Sequence, residues 1–160
     1  MENLSPINNA EFSLAELLDQ TNWVHDLPWQ DIQVLARYFK AYRVAAGATL
    51  FEEGEQASSM GLIVAGKIKV IKKGQSGQER ILAVMRPSQT FGELSLIDGA
   101  PRSATAVAMT DVTLLLTDKD ALFNMAEVHP KLAFRFTFRL AQLLSQRLRH
   151  TSLQLADSPS

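Results

Sequence analysis

The chain has 160 residues, 46% apolar and 21% charged, with a net charge of −1 and no cysteine. That is the profile of one globular domain with a core of its own. The charge balance argues against a nucleic-acid surface, which shows as a basic excess, and the missing thiols exclude disulfide frameworks and thiolate metal sites and fit a reducing compartment.

The N-terminus, MENLSPINNAEFSLAELLDQ, lacks the basic-then-apolar order of a signal peptide. No uncharged apolar run approaches the ~20 residues of a bilayer span, so a cytoplasmic protein without a membrane partner is expected. Residues 1–12 read as a flexible N-terminus, polar and carrying Pro6, ahead of a single domain over 13–156. Ser13 and Glu16 form a capping-box pattern that opens a short helix to about Gln20. Pro28 precedes Ile32, Leu35, Ala36 and Phe39 at helical spacing, which predicts a second helix over about 29–40.

From Arg43 the period changes. RVAAG, TLFEE, GLIVAG, KIKVIKK, ERILAVM, ATAVAM and VTLLLTD are short runs of strand formers, punctuated by Gly47, Gly54, Gly66, Gly74, Gly77 and Gly99. Many short strands and no alternation with helices mean a sandwich or a closed roll, over about 43–118, and exclude a doubly wound parallel sheet. Asp118 is a good N-cap for a helix to about Glu127. His129-Pro130 interrupts it, and one long helix follows from about Lys131 to Leu155. The helical segments together cover about 119–155, and no DNA-reading domain is expected after them.

One stretch concentrates chemistry: Phe91-Gly92-Glu93-Leu94-Ser95-Leu96-Ile97-Asp98-Gly99-Ala100-Pro101-Arg102-Ser103-Ala104-Thr105. A turn of helix opening at Gly92 leaves backbone N–H groups directed outward, and glycine lets an anion approach them. Arg102 offers a planar fork suited to phosphate, with the Ser103 hydroxyl beside it. Glu93 would repel phosphate and needs another task, such as accepting a sugar hydroxyl. Taken singly, Gly92 is as well explained by a turn, and Glu93 and Arg102 by pairing with each other.

The stretch matches F-G-E-L-x-L-x-x-G-x-P-R-x-A-T at every specified position. It resembles the phosphate-binding cassette of cyclic nucleotide-binding domains, the family of catabolite activator proteins and kinase regulatory subunits, and the resemblance covers about residues 27–155. It implies a mainly β fold: an antiparallel jelly roll (a double-stranded β-helix) of about eight strands, with N-terminal helices and a long C-terminal helix. It implies further that the N–H groups of Gly92, Leu94 and Ser95 hold a cyclic phosphate with Arg102 and Ser103. Glu93 would accept from the ribose 2′-hydroxyl, and Val70, Ile81 and Leu82 would form an apolar wall. Serine rather than threonine after the cassette arginine leans toward cAMP over cGMP.

Ala141, Leu144, Leu148, Thr151 and Leu155 form a short heptad seam that fits a homodimer through the C-terminal helix. Thr151 and Ser152 resemble the family's purine-contacting pair on that helix, set about one helical turn further from Pro130. The expectation is a sensor whose ligand moves the C-terminal helix and so signals to a downstream protein. The competing classes are a ligand-independent scaffold, a truncated piece of a Crp/Fnr-type regulator, and a metal-dependent enzyme. The last is disfavoured because His25, His129 and His150 are dispersed outside the roll. No cofactor, metal or catalytic residue is expected.

Overall fold

The computed structural model describes residues 1–8 and 13–157, the last four by backbone alone. The chain forms two compact units, one to Leu122 and one from Phe123. In the first, Ser13 accepts from the Glu16 amide at 3.0 Å and starts α1 (Leu14–Asp19), as its position before an acidic first turn dictates. A 3-10 turn (Asn22–Val24) leads to α2 (Trp29–Ala36), and α1 and α2 pack together through buried Leu17, Leu18, Ile32 and Leu35. The second helix is shorter than its apolar period predicts. Its last amides, from Arg37 to Phe39, bond carbonyls three residues back, and Lys40 already pairs with Leu116 in a strand. Tertiary pairing overrides local periodicity here.

The described residues contain nine strands. They are β1 (Ser5–Pro6), β2 (Lys40–Val44), β3 (Thr49–Phe51), β4 (Ser59–Ala65), β5 (Ile68–Lys73), β6 (Glu79–Met85), β7 (Thr90–Phe91), β8 (Thr105–Ala108) and β9 (Val112–Asp118). They build two antiparallel sheets, β1-β2-β9-β4-β7 and β3-β8-β5-β6, and the fold is the jelly roll expected. Of residues 1–12, expected to be flexible, 9–12 lie outside the described residues. Ser5 and Pro6 pair with Arg43 and Tyr42, and Met1 and Leu4 pack against the core. Pro6 is tolerated because β1 is an edge strand.

Residues from both sheets interleave in one core: Val44, Ile63, Phe91, Val112 and Leu114 from one, Leu50, Phe51, Ile68, Ala106 and Ala108 from the other. β4 lies between β9 and β7 and is buried continuously from Met60 to Val64, which explains its unbroken apolar run. On the other sheet β6 is an edge. Val70 pairs with Ala83 and Ile71 with Ile81, so Leu82 is the extra residue of a β-bulge.

Asp118 accepts from the Ala121 amide at 2.8 Å and caps α4 (Lys119–Val128). In the second unit α5 runs from Pro130 to Asp157, with Leu132, Ala133, Phe136 and Leu140 buried at helical spacing. Phe134 and Phe138 on its exposed side stack with ring centroids 5.8 Å apart. No helix among the described residues is long and apolar enough to cross a membrane.

Candidate functional site

The site is built around a reversal of the chain at Gly92. β7 ends at Phe91, Gly92 adopts φ 78°, and α3 (Glu93–Asp98) begins at once. A left-handed residue turns the chain sharply, a conformation glycine adopts without steric cost. The Leu96 amide makes the first intrahelical bond, to the Gly92 carbonyl at 3.1 Å, so the amides of Leu94 and Ser95 lie ahead of the helix's own ladder. Gly99 closes α3 with a second left-handed turn, φ 69°, its amide bonded to the Ser95 carbonyl at 2.9 Å. The Ser95 hydroxyl donates to the Ala100 carbonyl at 2.9 Å and Asp98 accepts the Ala100 amide at 2.8 Å. These bonds return the chain to Arg102.

Arg102 is 4% exposed. Its Nη1 donates to the Ser59 carbonyl at 2.9 Å and its Nη2 to the Ser59 hydroxyl at 3.1 Å. The guanidinium carbon lies 4.5 Å from the Phe51 ring centre, a cation–π contact. Phe51 in turn leans on Phe91 at 5.6 Å, and the Phe91 ring covers Gly61 on the neighbouring strand. The backbone of Arg102 is fixed as well: its amide donates to the Glu55 carbonyl at 2.9 Å and its carbonyl accepts from Gly54 at 2.8 Å. The side chain thus reaches Gly92 so closely that a Cβ there would fall within contact distance of Nη1, 3.1 Å from Cζ and 2.7 Å from the Ser59 carbonyl oxygen. Absence of a side chain at position 92 is what allows a buried cation beside the start of α3.

Burial lowers the pKa of Arg102 from its ordinary value, and the carboxylates of Glu55 and then Glu93 act in the opposite sense. Its Nε is buried without a hydrogen-bond partner among the described residues. A buried donor in that state fits an anion, because an unmet hydrogen bond inside the protein costs about 1–3 kcal/mol. Glu93 is 3% exposed and accepts a hydrogen bond from the hydroxyl of Thr90.

The expected residues therefore fall into three groups. Gly92, Glu93, Leu94, Ser95 and Arg102 converge on the turn before α3 and the loop that follows it, while Ser103 is exposed just beyond. Val70, Ile81 and Leu82 lie on β5 and β6, reached from Arg102 through β8, where Thr105, Ile71 and Ile81 form one register row. Ile81 and Leu82 are 57% and 49% exposed. Both neighbours stand open because β6 is an edge strand exposed on both faces from Glu79 to Ala83. Thr151 and Ser152 lie on α5 in the second unit, both exposed, with the Thr151 hydroxyl donating to the Arg147 carbonyl at 3.0 Å. The side chain of Leu155 lies outside the described residues.

Phe51, Glu55, Ser59 and Thr90 belong to the site and escaped the sequence reading. Ser59 is 43 residues from Arg102, and no periodicity links positions so far apart. Thr90 alone had a local signal, a hydroxyl three residues before the buried carboxylate. An open cleft of about 610 Å³ lies beside Arg102, lined also by Met1, Glu55, Ser58, Ser59, Gly99 and Asp118. The apolar wall of β5 and β6 does not border it. Among the described residues no cluster of three His, Asp or Glu side chains could hold a metal ion.

The family model of the cyclic nucleotide-binding domain matches residues 42–129. The chain is 34% identical over 126 residues to a CRP-like cAMP-activated global transcriptional regulator of Mycobacterium tuberculosis, covering 79% of this chain and 54% of that protein. It is 33% identical over 131 residues to a cyclic AMP receptor protein of Thermus thermophilus, covering 82% and 59%. The chain thus spans little more than half the length of these curated relatives. A solved cyclic nucleotide-binding domain from Methylobacillus flagellatus superposes with a TM-score of 0.83 at 28% identity, over 99% of this chain and 91% of that one.

Proposed function

The chain belongs to the cyclic nucleotide-binding domain family, and from that premise we propose that it is a receptor for cyclic AMP that carries no catalysis of its own. The observation that carries the reading is the placement of Arg102. A buried, desolvated guanidinium rests against a left-handed glycine at the start of α3, with one donor unmet. In this reading the amides of Gly92, Leu94 and Ser95, the fork of Arg102 and the Ser103 hydroxyl hold the cyclic phosphate. Glu93 accepts from the ribose, and Val70, Ile81 and Leu82 meet the base on its apolar side. cAMP is preferred to cGMP because Ser103 follows the arginine and because two relatives are named for cAMP.

Signalling follows by population shift: a ligand that binds one arrangement of the C-terminal helix more tightly moves the equilibrium toward it by its differential affinity. The seam of Ala141, Leu144, Leu148 and Thr151, exposed apart from half-buried Leu144, supports a homodimer through α5. In that dimer Thr151 and Ser152 are the purine-side residues, and a cytoplasmic protein partner reads the change.

Thermal unfolding with cAMP, cGMP and 5′-AMP tests the reading. Ligand at ~100 times its Kd adds ~2.7 kcal/mol of stability, so a rise in Tm with cAMP exceeding that with the other two is expected. No shift with either cyclic nucleotide favours a ligand-independent scaffold, and an equal shift with 5′-AMP removes the cyclic phosphate from the assignment.

A further inference from the structure

Thr90 and Glu93 form a buried pair that the cassette pattern does not specify. Thr90 is 1% exposed, and its hydroxyl donates to one carboxylate oxygen of Glu93. Both ends of the contact are fixed. Thr90 is registered opposite Leu62 in β7, and the left-handed turn at Gly92 folds Glu93 back over the residue three before it. Glutamate is among the side chains richest in rotamers, and a carboxylate that must accept from one particular hydroxyl has to be held in one orientation before the ligand arrives.

We propose that Thr90 is a positioning residue: its hydroxyl orients Glu93 toward the ribose 2′-hydroxyl and so sets the preference for ribose over 2′-deoxyribose cyclic nucleotides. The inference rests on the reading of Glu93 as the ribose acceptor. A purely structural threonine would satisfy the same buried carboxylate, yet its loss would weaken all ligands alike. Sites built to hydrogen-bond a ligand hydroxyl discriminate strongly against the analogue that lacks it. Loss of the orienting bond therefore falls on the ratio of the two affinities.

Titration calorimetry of the full chain with cAMP and with 2′-deoxy-cAMP reads that ratio in the wild type, Thr90→Val and Thr90→Ser. The wild type binds cAMP more tightly. Thr90→Val, which keeps the shape and removes the hydroxyl, lowers the preference on the order of tenfold, and Thr90→Ser restores most of it. Where Thr90→Val does not fold, Thr90→Ala makes the same comparison. A preference unchanged in the hydroxyl-free variant, or equal weakening of both nucleotides, overturns the positioning role while leaving the receptor reading intact. A wild type that binds neither nucleotide overturns both.

Discussion

Replacing Gly92 by alanine separates the conformational demand of the turn from the demand of the cation beside it, because Gly99 at the other end of α3 serves as a control. Both glycines are left-handed, φ 78° and φ 69°. An alanine in that region costs about 1–2 kcal/mol. At Gly99 nothing lies within 4 Å of the added Cβ, so Gly99→Ala incurs that backbone cost alone, a fall in Tm of roughly 2–8 °C for a domain of this size.

At Gly92 the Cβ meets Arg102 and the Ser59 carbonyl oxygen. The carbonyl belongs to β4, in the interior of its sheet, and the guanidinium is the group that must give way. Displacing it breaks the 2.9 Å bond from Nη1, a charged hydrogen bond worth about 1.5–3 kcal/mol. Gly92→Ala is therefore destabilised by about 2.5–5 kcal/mol and loses cAMP affinity at least tenfold, whereas Gly99→Ala keeps it. Urea denaturation gives the first comparison and titration calorimetry the second. Wild-type cAMP affinity in Gly92→Ala, or equal loss in both variants, refutes the reasoning.

Arg102→Ala removes the fork while leaving the turn intact, and calorimetry should show cAMP binding weakened roughly ten- to a hundredfold, from one or more charged hydrogen bonds of ~1.5–3 kcal/mol each. Unchanged affinity would remove Arg102 from the phosphate site. Gly61→Ala drives a methyl to 2.8 Å from Cε2 of Phe91 and closer still to Cζ and Cε1. It should lower stability by about 1–3 kcal/mol through overpacking, and a denaturation midpoint equal to wild type would show that the ring moves freely. Ser13→Ala deletes the cap of α1 and should cost ~1 kcal/mol, read as a fall in urea midpoint with no change in ligand affinity.

Much of the architecture was legible because it is written locally. The runs ERILAVM and VTLLLTD coincide with β6 and β9 as observed, and the Ser13 cap, the break at His129-Pro130 and the turn opening at Gly92 stand where their residues place them. Where the reading slipped, a partner distant in sequence was responsible. α2 stops at Ala36 because Lys40 is claimed by β9.

The cassette places glycine, carboxylate and guanidinium within a dozen positions, and its resemblance to the family pattern is what assigns them, as a proposal, to a cyclic nucleotide. How they are held was decided elsewhere in the chain. Ser59 fixes both ends of the Arg102 fork, the Phe51 ring lies under its central carbon, and the edge position of β6 leaves Ile81 and Leu82 both exposed. Local geometry acts between residues a few positions apart and so leaves a mark in the sequence. The environment of a buried charge depends on which strands become neighbours, and only the closing of the roll determines that.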